Sequence, residues 1–345
     1  MTIMSRCRCG VDIHAHVIPE NFPRCVRAPE PSSWPSMTEA DACHRHVMIA
    51  GKTYRTVSDR CWSVPKRIAD MDAMGLGLQA VSPMPELLSY WMDAPAADDL
   101  LRYINDQTAE MIAEAQGRLV GLAAVPLQDM NLALRELERA VRQLGFAGVE
   151  IGSNINGRPV GAPEFDAFFE AAEELGAAVF VHALRPAGME RLVGPAPLQQ
   201  VLAYPGDVGL AAASVITTNL IVRRPKLRIA FSHGGGTLGM LLPRLAEGRR
   251  VFPALETLME VSPVEQARRL FYDALVYDAP ALRYLVELFG DTQVMVGTDH
   301  PFNFHDRTPV GRIREALPDT AVQDRLLFGN AARFLDCKLD VEPAP

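Results

Sequence analysis

Short apolar runs alternate along the chain with longer amphipathic segments, and this order predicts strands that are each followed by a helix. Most of the short runs are apolar throughout their centres, as parallel strands covered on both faces should be. We predict eight such strands: Gly10–Ile13, Leu78–Ser82, Leu119–Val125, Gly148–Ile151, Ala178–Val181, Leu227–Phe231, Phe271–Leu275 and Gln293–Val296.

The amphipathic segments predict helices, and several of them stop at a glycine. The clear cases are Ala96–Gln116, Asn131–Leu144, Ala162–Leu175, Thr237–Glu247 and Ala279–Phe289, of which the last four precede Gly145, Gly176, Gly248 and Gly290. Glycine commonly follows a helix because it accepts a left-handed backbone at no steric cost. The repeated strand–helix order predicts an α/β fold with a parallel sheet. Eight units in one domain, residues 1–345, favour a closed (β/α)₈ barrel, although a doubly wound open sheet fits the alternation nearly as well.

Residues 19–62 interrupt this rhythm directly after the first strand. The segment is rich in Pro, Ser, Cys and His, and only Val47–Tyr54 resembles a pair of strands. A long insertion inside a compact domain is more often functional than disordered. We therefore expect it to cover the active-site face of the fold.

Composition narrows the class of protein. The chain is 48% hydrophobic with a mean hydropathy of +0.04, which indicates a globular protein with a sizeable core. Its net charge of −8 disfavours a nucleic-acid surface, where a basic face supplies most of the affinity. No run reaches the roughly 20 apolar residues that a membrane helix needs, and the first ten residues do not resemble a secretory signal. The six cysteines, at 7, 9, 25, 43, 61 and 337, form no CxxC pair, so we expect free thiols and a cytoplasmic protein.

The sharpest chemical signal is His14-Ala15-His16, which follows the first apolar run. Alternate residues of a strand point to one face, so the two imidazoles can reach one point. Neutral imidazoles aimed at one spot suit a zinc-type site. The motif alone is weak evidence, because short motifs occur often by chance.

Other ligand-type residues follow other strands. His182, His233 and Asp299 each end an apolar run. In a (β/α)₈ barrel the carboxyl ends of the strands face the active site. A lone histidine after a strand is usually structural, but several strands each placing His or Asp at the same end indicate a metal centre. His14, His16, His182 and Asp299 would leave an open position on a divalent metal, and His233, before Gly234–Gly236, would be free to act as an acid or base. A simple tight turn is the alternative interpretation of that glycine run.

Cys43, His44 and His46 in the insertion raise the possibility of a second metal site. A polar cluster on a loop is the simpler interpretation of these residues, and we prefer it.

Longer stretches of the chain resemble the amidohydrolase superfamily, in particular the branch that contains 2-amino-3-carboxymuconate-6-semialdehyde decarboxylase and related decarboxylases. The resemblance runs from about Val11 to Leu335. It is carried by the motifs RIADM (Arg67–Met71), SYW (Ser89–Trp91), LGFAGVEIG (Leu144–Gly152), FSHGGG (Phe231–Gly236), YDAL (Tyr272–Leu275) and VGTDHPF (Val296–Phe302).

The resemblance implies a distorted (β/α)₈ TIM barrel with one metal ion, zinc with manganese as the alternative, held by His14, His16, His182 and Asp299. It gives His233 the acid/base role, with Asp299 also at the reaction centre, and no organic cofactor. Arg55 matches a residue that binds the substrate carboxylate, Phe302 matches an aromatic residue of the pocket, and Arg244 matches an arginine donated by a neighbouring subunit. The last match implies a homodimer.

The resemblance breaks down on the substrate side of the expected pocket. His182 is followed by Ala183-Leu184-Arg185 where the family has Pro-Trp-Asp, residues 187–202 contain no tryptophan, and His300 replaces a tyrosine. These departures put the substrate in doubt. Arg185 would be able to recognise an additional anionic group, a hypothesis that an Arg185→Leu variant with unchanged KM would refute.

We therefore expect a metal-dependent decarboxylase of a small unsaturated or aromatic carboxylic acid from ring-cleavage catabolism. The alternative within enzymes is a hydrolase or hydratase that uses the same metal on a lactone, amide or alkene-dioate, since one barrel hosts many chemistries. A barrel that binds a metabolite without catalysis is a third class, and the complete set of five metal-site and acid/base residues argues against it.

Overall fold

The eight predicted strands are all present in the structure, a computed structural model that describes residues 2–3, 9–27 and 33–339. They form one parallel sheet in which strands consecutive in the barrel are neighbours. Their bounds are Gly10–Val17, Leu76–Pro83, Leu119–Ala124, Gly148–Gly152, Ala178–His182, Arg228–Phe231, Phe271–Asp273 and Val294–Met295.

The sheet closes on itself. Parallel bridges join Asp12 to Val296 and Ala15 to His300, and the amide of Ile13 donates to the Val296 carbonyl at 3.0 Å. The open-sheet alternative is thereby excluded, and the fold is a distorted (β/α)₈ barrel.

Helices surround the barrel. They run from Val64–Met74, Ala94–Glu114, Met130–Arg142, Asp166–Leu175, Tyr204–Thr217, Leu220–Arg223, Leu238–Val251, Pro253–Leu258, Pro263–Ala267, Ala279–Phe289, Pro309–Ala316, Thr320–Asp324 and Asn330–Leu335. The predicted end at Gly176 is confirmed, since this glycine caps its helix with φ +63°. The predicted end at Gly248 is wrong, because that helix continues to Val251. Gly248 keeps helical geometry, because the hydrogen bonds of the helix outweigh the modest tendency of glycine to break a helix.

Two apolar layers hold these elements together. One fills the barrel and includes Val11, Ile13, Leu78 and Phe180, while the helix Asn330–Leu335 contributes Phe334 to it. The second lies between strands and helices. Burial on both faces explains why the strands are apolar at successive positions.

The insertion folds into a three-stranded antiparallel sheet, Ser36–Asp41, His44–Ile49 and Lys52–Ser58. The pattern at Val47–Tyr54 indicated the last two of these strands, and the first was missed because its residues are mostly exposed. Val47 and Val57 are buried beneath the sheet. That burial attaches the insertion to the barrel.

The expectation of free thiols is confirmed at Cys25, Cys43, Cys61 and Cys337. It is wrong at Cys9, which is disulfide-bonded, while Cys7 lies outside the described residues. Spacing alone gave no indication of this bond. Within the part of the chain that the structure describes, every helix is too short or too polar to span a membrane.

Candidate metal centre and active site

The four predicted metal ligands lie together at the carboxyl ends of the strands. One ligand-type atom from each of His14, His16, His182 and Asp299 lies within 4.8 Å of the others. Asp299 Oδ1 is 3.2 Å from His16 Nε2 and 3.6 Å from His14 Nε2. The Nε2 atoms of all three histidines are buried and have no hydrogen-bond partner among the described residues. Unpartnered buried nitrogens facing a carboxylate are the donor set that a divalent cation requires.

Each imidazole is oriented through its other nitrogen. His14 Nδ1 lies 2.7 Å from Asp273 Oδ2, His16 Nδ1 3.2 Å from the Pro83 carbonyl, and His182 Nδ1 2.8 Å from the Ala183 carbonyl. A carbonyl or carboxylate partner keeps the proton on Nδ1. The lone pair is then on Nε2, the atom that faces the cluster.

A β-bulge in the first strand brings His14 and His16 into the barrel. Asp12 pairs with Gln79 but Ala15 pairs with Val81, so the first strand holds one extra residue in this interval. Val11 and Ile13 pack inside the barrel, whereas the Asp12 carboxylate accepts from Gln79 Nε2 at 2.8 Å on the other face. Without the extra residue, strict alternation would place His14 and His16 on the side of Asp12. The bulge re-aims both side chains, a role that bulges often have beside active sites.

The cluster favours positive charge. Burial alone would lower the pKa of His14, but the hydrogen bond to Asp273 and the charges of Asp273 and Asp299 raise it to about 9. Burial lowers the pKa of His16 and takes that of His182 well below its ordinary value. A single positive charge is thus stabilised where the carboxylates meet, and a divalent cation meets the same requirement.

His233 lies beside the cluster without belonging to it. Its ring centroid is 5.1 Å from that of His182 and 5.4 Å from that of His14. Burial, followed by the charge on His14, lowers its pKa to about 4, so that it is neutral at neutral pH. A neutral imidazole can accept a proton, as the predicted acid/base role requires.

The glycines after His233 form the tight turn that the sequence left as an alternative, and a helix follows it. Residues 233–236 all have positive φ. A Cβ on Gly236 would lie 1.9 Å from the Pro205 carbonyl oxygen, so only glycine fits. The helix Leu238–Val251 then begins at Leu238.

A cavity of about 290 Å³ opens onto the cluster, which suits a single-ring or short-chain acid. Its walls come from the strand ends, from the insertion and from the segment after the fifth strand. They comprise Tyr54, Arg55, Met84, Pro85, Glu86, His182, Gln200, Val201, Tyr204, Pro205, His233, Gly236, Leu275, Val276, Tyr277, Asp299, Phe302 and Phe304.

Of the predicted substrate-binding residues, the structure brings two to this cavity. Arg55 and Phe302 line it together, with the Arg55 guanidinium carbon 4.2 Å from the centroid of the Phe302 ring. Arg244 does not reach the cavity of its own chain, because it is exposed on the helix Leu238–Val251. Arg185 is also absent from the wall: it lines a neighbouring cavity and pairs with Glu86.

Sequence reasoning missed three acidic residues at the site. Asp273 accepts from the amides of His233 and Gly234 at 3.0 and 2.7 Å as well as holding His14. It ends the seventh strand, so the rule that found the other strand-end residues applied to it too. Glu150 lies within an apolar run, which was a signal: burial raises its pKa to about 8, and Ser82 donates to it at 2.6 Å. Glu86 lies on a turn, Pro85–Leu88, and no sequence pattern indicated it.

The residues of the possible second site are satisfied by local hydrogen bonds. His44 Nδ1 is 2.9 Å from Asp41 Oδ1 and 3.3 Å from Cys43 Sγ on the hairpin between the first two strands of the insertion, and these three groups are close enough to hold an ion. His46 is bonded instead to Thr56 at 2.9 Å. The polar-cluster interpretation stays a prediction.

Comparison with known proteins places this arrangement in a family. The family model described as Amidohydrolase matches residues 11–337. The 2-amino-3-carboxymuconate-6-semialdehyde decarboxylase of Dictyostelium discoideum is 33% identical over 331 residues, covering 94% of this chain and 91% of that protein. The enzyme of the same name from Caenorhabditis elegans is 28% identical and covers 94% of each chain.

A solved structure shows the same fold. The 5-carboxyvanillate decarboxylase of Novosphingobium aromaticivorans, complexed with manganese and 4-hydroxy-3-methoxy-5-nitrobenzoic acid, aligns with a TM-score of 0.76 at 19% identity, covering 97% of this chain and 99% of that one. Since the family model spans nearly the whole chain and a relative shares a third of its residues, this protein belongs to the amidohydrolase family.

Proposed function

We propose that this protein is a metal-dependent decarboxylase of a small unsaturated or aromatic carboxylic acid. The observation that carries the proposal is a single cavity at which three features meet. These are, within the described part of the chain, the imidazole nitrogens without hydrogen-bond partners, the neutral His233 and an arginine, Arg55, without an ion pair. Arg55 forms no ion pair with any described residue, so it is available to a carboxylate. The decarboxylases among the relatives support the same reaction class.

The residues divide the reaction between them. Arg55, stacked on Phe302, holds a carboxylate in a planar fork that lysine cannot copy. His233 takes up a proton and passes it to the carbon that bears the leaving carboxylate. The bond between that carbon and the carboxylate then breaks, its electron pair returns to the substrate skeleton, and CO₂ departs. A divalent cation, when bound by His14, His16, His182 and Asp299, supplies a Lewis acid that stabilises negative charge on substrate oxygens.

For the metal we propose zinc. Three imidazoles and one carboxylate suit it, although such sites also accept manganese, which the 5-carboxyvanillate decarboxylase structure contains. Metal analysis of protein purified without added metal, followed by activity after reconstitution with each ion, distinguishes the two.

We also propose that Arg244 acts in a homodimer and that the insertion, residues 19–62, covers the active-site face. The surface around Arg244 supports the first idea: Met240 and Phe252 are 75% and 58% exposed, and such a patch is typical of a subunit interface. Tyr54 and Arg55, which line the cavity, support the second.

Co-expression of two inactive variants tests the dimer. If Arg244 completes the partner's site, a His233→Ala chain paired with an Arg244→Ala chain has one intact site. Random pairing would then restore about a quarter of wild-type activity, on the geometry of a two-fold dimer. No recovery, together with a monomeric mass in solution, would exclude the arrangement.

The reaction itself is tested by CO₂ release. Metal-loaded and metal-stripped protein are incubated with 2-amino-3-carboxymuconate semialdehyde and with a panel of hydroxybenzoic acids. Metal-dependent CO₂ release is the expected result. Substrate loss without CO₂ would contradict the proposal and indicate a hydrolase or hydratase.

A further inference from the structure

A buried carboxylate lines the same cavity as the arginine that we assign to the substrate carboxylate. Glu86 lies on the turn after the second barrel strand, and its side chain is 10% exposed. It faces Tyr54, Arg55 and Tyr204 closely enough to influence the two phenols electrostatically. An acidic wall is unexpected in a cavity for an acidic substrate, because it would repel a second carboxylate.

From the described residues, Glu86 accepts hydrogen bonds at only one of its two carboxylate oxygens. Arg185 Nε and Nη2 both donate to Oε1, at 3.2 and 2.6 Å. No described residue donates to Oε2. A bidentate arginine–carboxylate fork would occupy both oxygens. Here one oxygen is left for a donor from the cavity.

Arg185 contacts Glu86 from the side of the neighbouring cavity. Its guanidinium carbon is 3.0 Å from the centre of the Trp91 ring, and it lines the neighbouring cavity rather than the one at the metal cluster. This contact fixes the arginine, and the arginine in turn positions Glu86. Burial raises the pKa of Glu86 above its ordinary value, and Arg185 and then Arg55 offset part of that rise. One oxygen of Glu86 is therefore held by Arg185, and the side chain presents a fixed acceptor at the cavity wall.

We propose that Glu86 determines specificity by accepting a hydrogen bond from a hydroxyl or amino group of the substrate. This inference rests on the proposed function for the identity of the acid, but not for the binding contact itself. It assigns the substrate class: an acid that carries its carboxylate at one end and a hydrogen-bond donor elsewhere on a small skeleton. Arg55 then binds the carboxylate of the substrate and Glu86 binds its hydrogen-bond donor, so that the two residues together orient the molecule.

Binding of benzoate, 3- and 4-hydroxybenzoate, and 3- and 4-aminobenzoate to metal-loaded protein, measured by calorimetry, tests the proposal without requiring turnover. The 2-isomers are left out because an adjacent donor can reach the metal itself. A hydrogen bond to a charged acceptor predicts about 10- to 100-fold tighter binding of at least one hydroxyl or amino compound than of benzoate. Whether phenols or anilines give the gain identifies the donor.

The variants separate recognition from structure. In Glu86→Leu the preference should fall to within about threefold, and in Glu86→Gln, which retains an acceptor oxygen, it should fall partway. Arg185→Leu leaves the carboxylate in the cavity but removes the partner that positions it, so the preference should fall only partway. Thermal melting and metal content show that each variant is folded and loaded.

The outcomes are distinct. A Glu86→Leu or Glu86→Gln protein with the full wild-type preference overturns the inference, as does a wild-type protein that binds all five acids equally. Loss of the preference in Arg185→Leu to the same extent as in Glu86→Leu would assign the effect to the ion pair and also overturn it. A Glu86-dependent preference, together with substrate loss but no CO₂ release in the turnover assay, would refute the decarboxylase proposal while leaving this contact established.

Discussion

The two ends of the cavity are built differently. At the metal end the three histidines are at most 3% exposed, and each ring is held by a hydrogen bond of 3.2 Å or less. At the opposite end the walls come from the insertion and from loops, and Tyr54 and Phe304 are 37% and 44% exposed. Arg55 there is held by stacking on Phe302 and by no ion pair among the described residues.

This difference suggests a division of roles. The metal end is overdetermined: its strands, bulge and hydrogen bonds leave its side chains little freedom, as a preorganised reaction centre needs. The loop end can change without disturbing the barrel, because its walls come from the insertion and from loops. We infer that the first end sets the type of reaction and the second selects the substrate. Substitutions at the two ends should therefore fail in different ways.

The largest effect is expected from His16→Ala. Removing one of the three imidazoles leaves a ligand set that holds a divalent cation poorly, so bound metal and CO₂ release should both disappear. Metal analysis after dialysis against a weak chelator measures the bound metal, and a turnover assay measures CO₂ release. His305→Ala is the matched control, because its ring is near His300 and outside the ligand cluster, and it should retain metal. Full metal content in His16→Ala would show that the cluster is not the metal site.

His233→Ala should separate chemistry from metal binding. It removes the group that we propose to move the proton, so kcat should fall by roughly 10²- to 10⁴-fold while metal content stays unchanged. The measurement is steady-state turnover with the metal content of each preparation determined in parallel. Unchanged kcat at full metal occupancy would assign proton transfer to another residue.

Much of this arrangement could be predicted from sequence because barrel strands encode it locally. Each strand is a short apolar run, and a residue at or shortly after its carboxyl end faces the active site. His182 ends its strand and Asp299 follows the strand Val294–Met295, so both could be placed on that rule. The rule extends to Asp273, which the sequence analysis overlooked.

The remainder depends on tertiary structure. The bulge that turns His14 and His16 inward arises from the register against the second strand, which residue order does not reveal. Glu86 and Arg185 are 99 positions apart and meet only when two loops fold beside each other. For the same reason the sequence placed Arg185 in the substrate pocket, whereas its ion pair with Glu86 keeps it on the far side of the wall.

Asp273→Asn tests how far the metal end depends on its supporting hydrogen bonds. The two Asp273 oxygens accept from His14 and from three backbone amides, those of His233, Gly234 and Leu275. An amide has only one acceptor oxygen, so His14 loses orientation, and metal affinity should fall about 10- to 100-fold. Competition with a fluorescent chelator measures it.

Asp278→Asn is the control for that measurement. This nearby aspartate caps the helix Ala279–Phe289 through the amide of Ala281, and asparagine caps helices equally well. Its metal affinity should equal that of the wild type. Equal affinities for both variants would contradict the idea that Asp273 orients the ligand.

The smallest effect is expected at the loop end. Arg55→Lys keeps the charge but loses both the planar fork and the stacking on Phe302, so KM should rise about tenfold with kcat nearly unchanged. In the proposed function Arg55 holds the substrate both before and during the reaction, so the loss should be one of uniform binding. Lys52→Arg, on an exposed position of the same strand, is the control and should leave both constants unaltered. If Arg55→Lys instead lowered kcat as much as His233→Ala does, the loop end would take part in the chemistry and the proposed division between the two ends would be wrong.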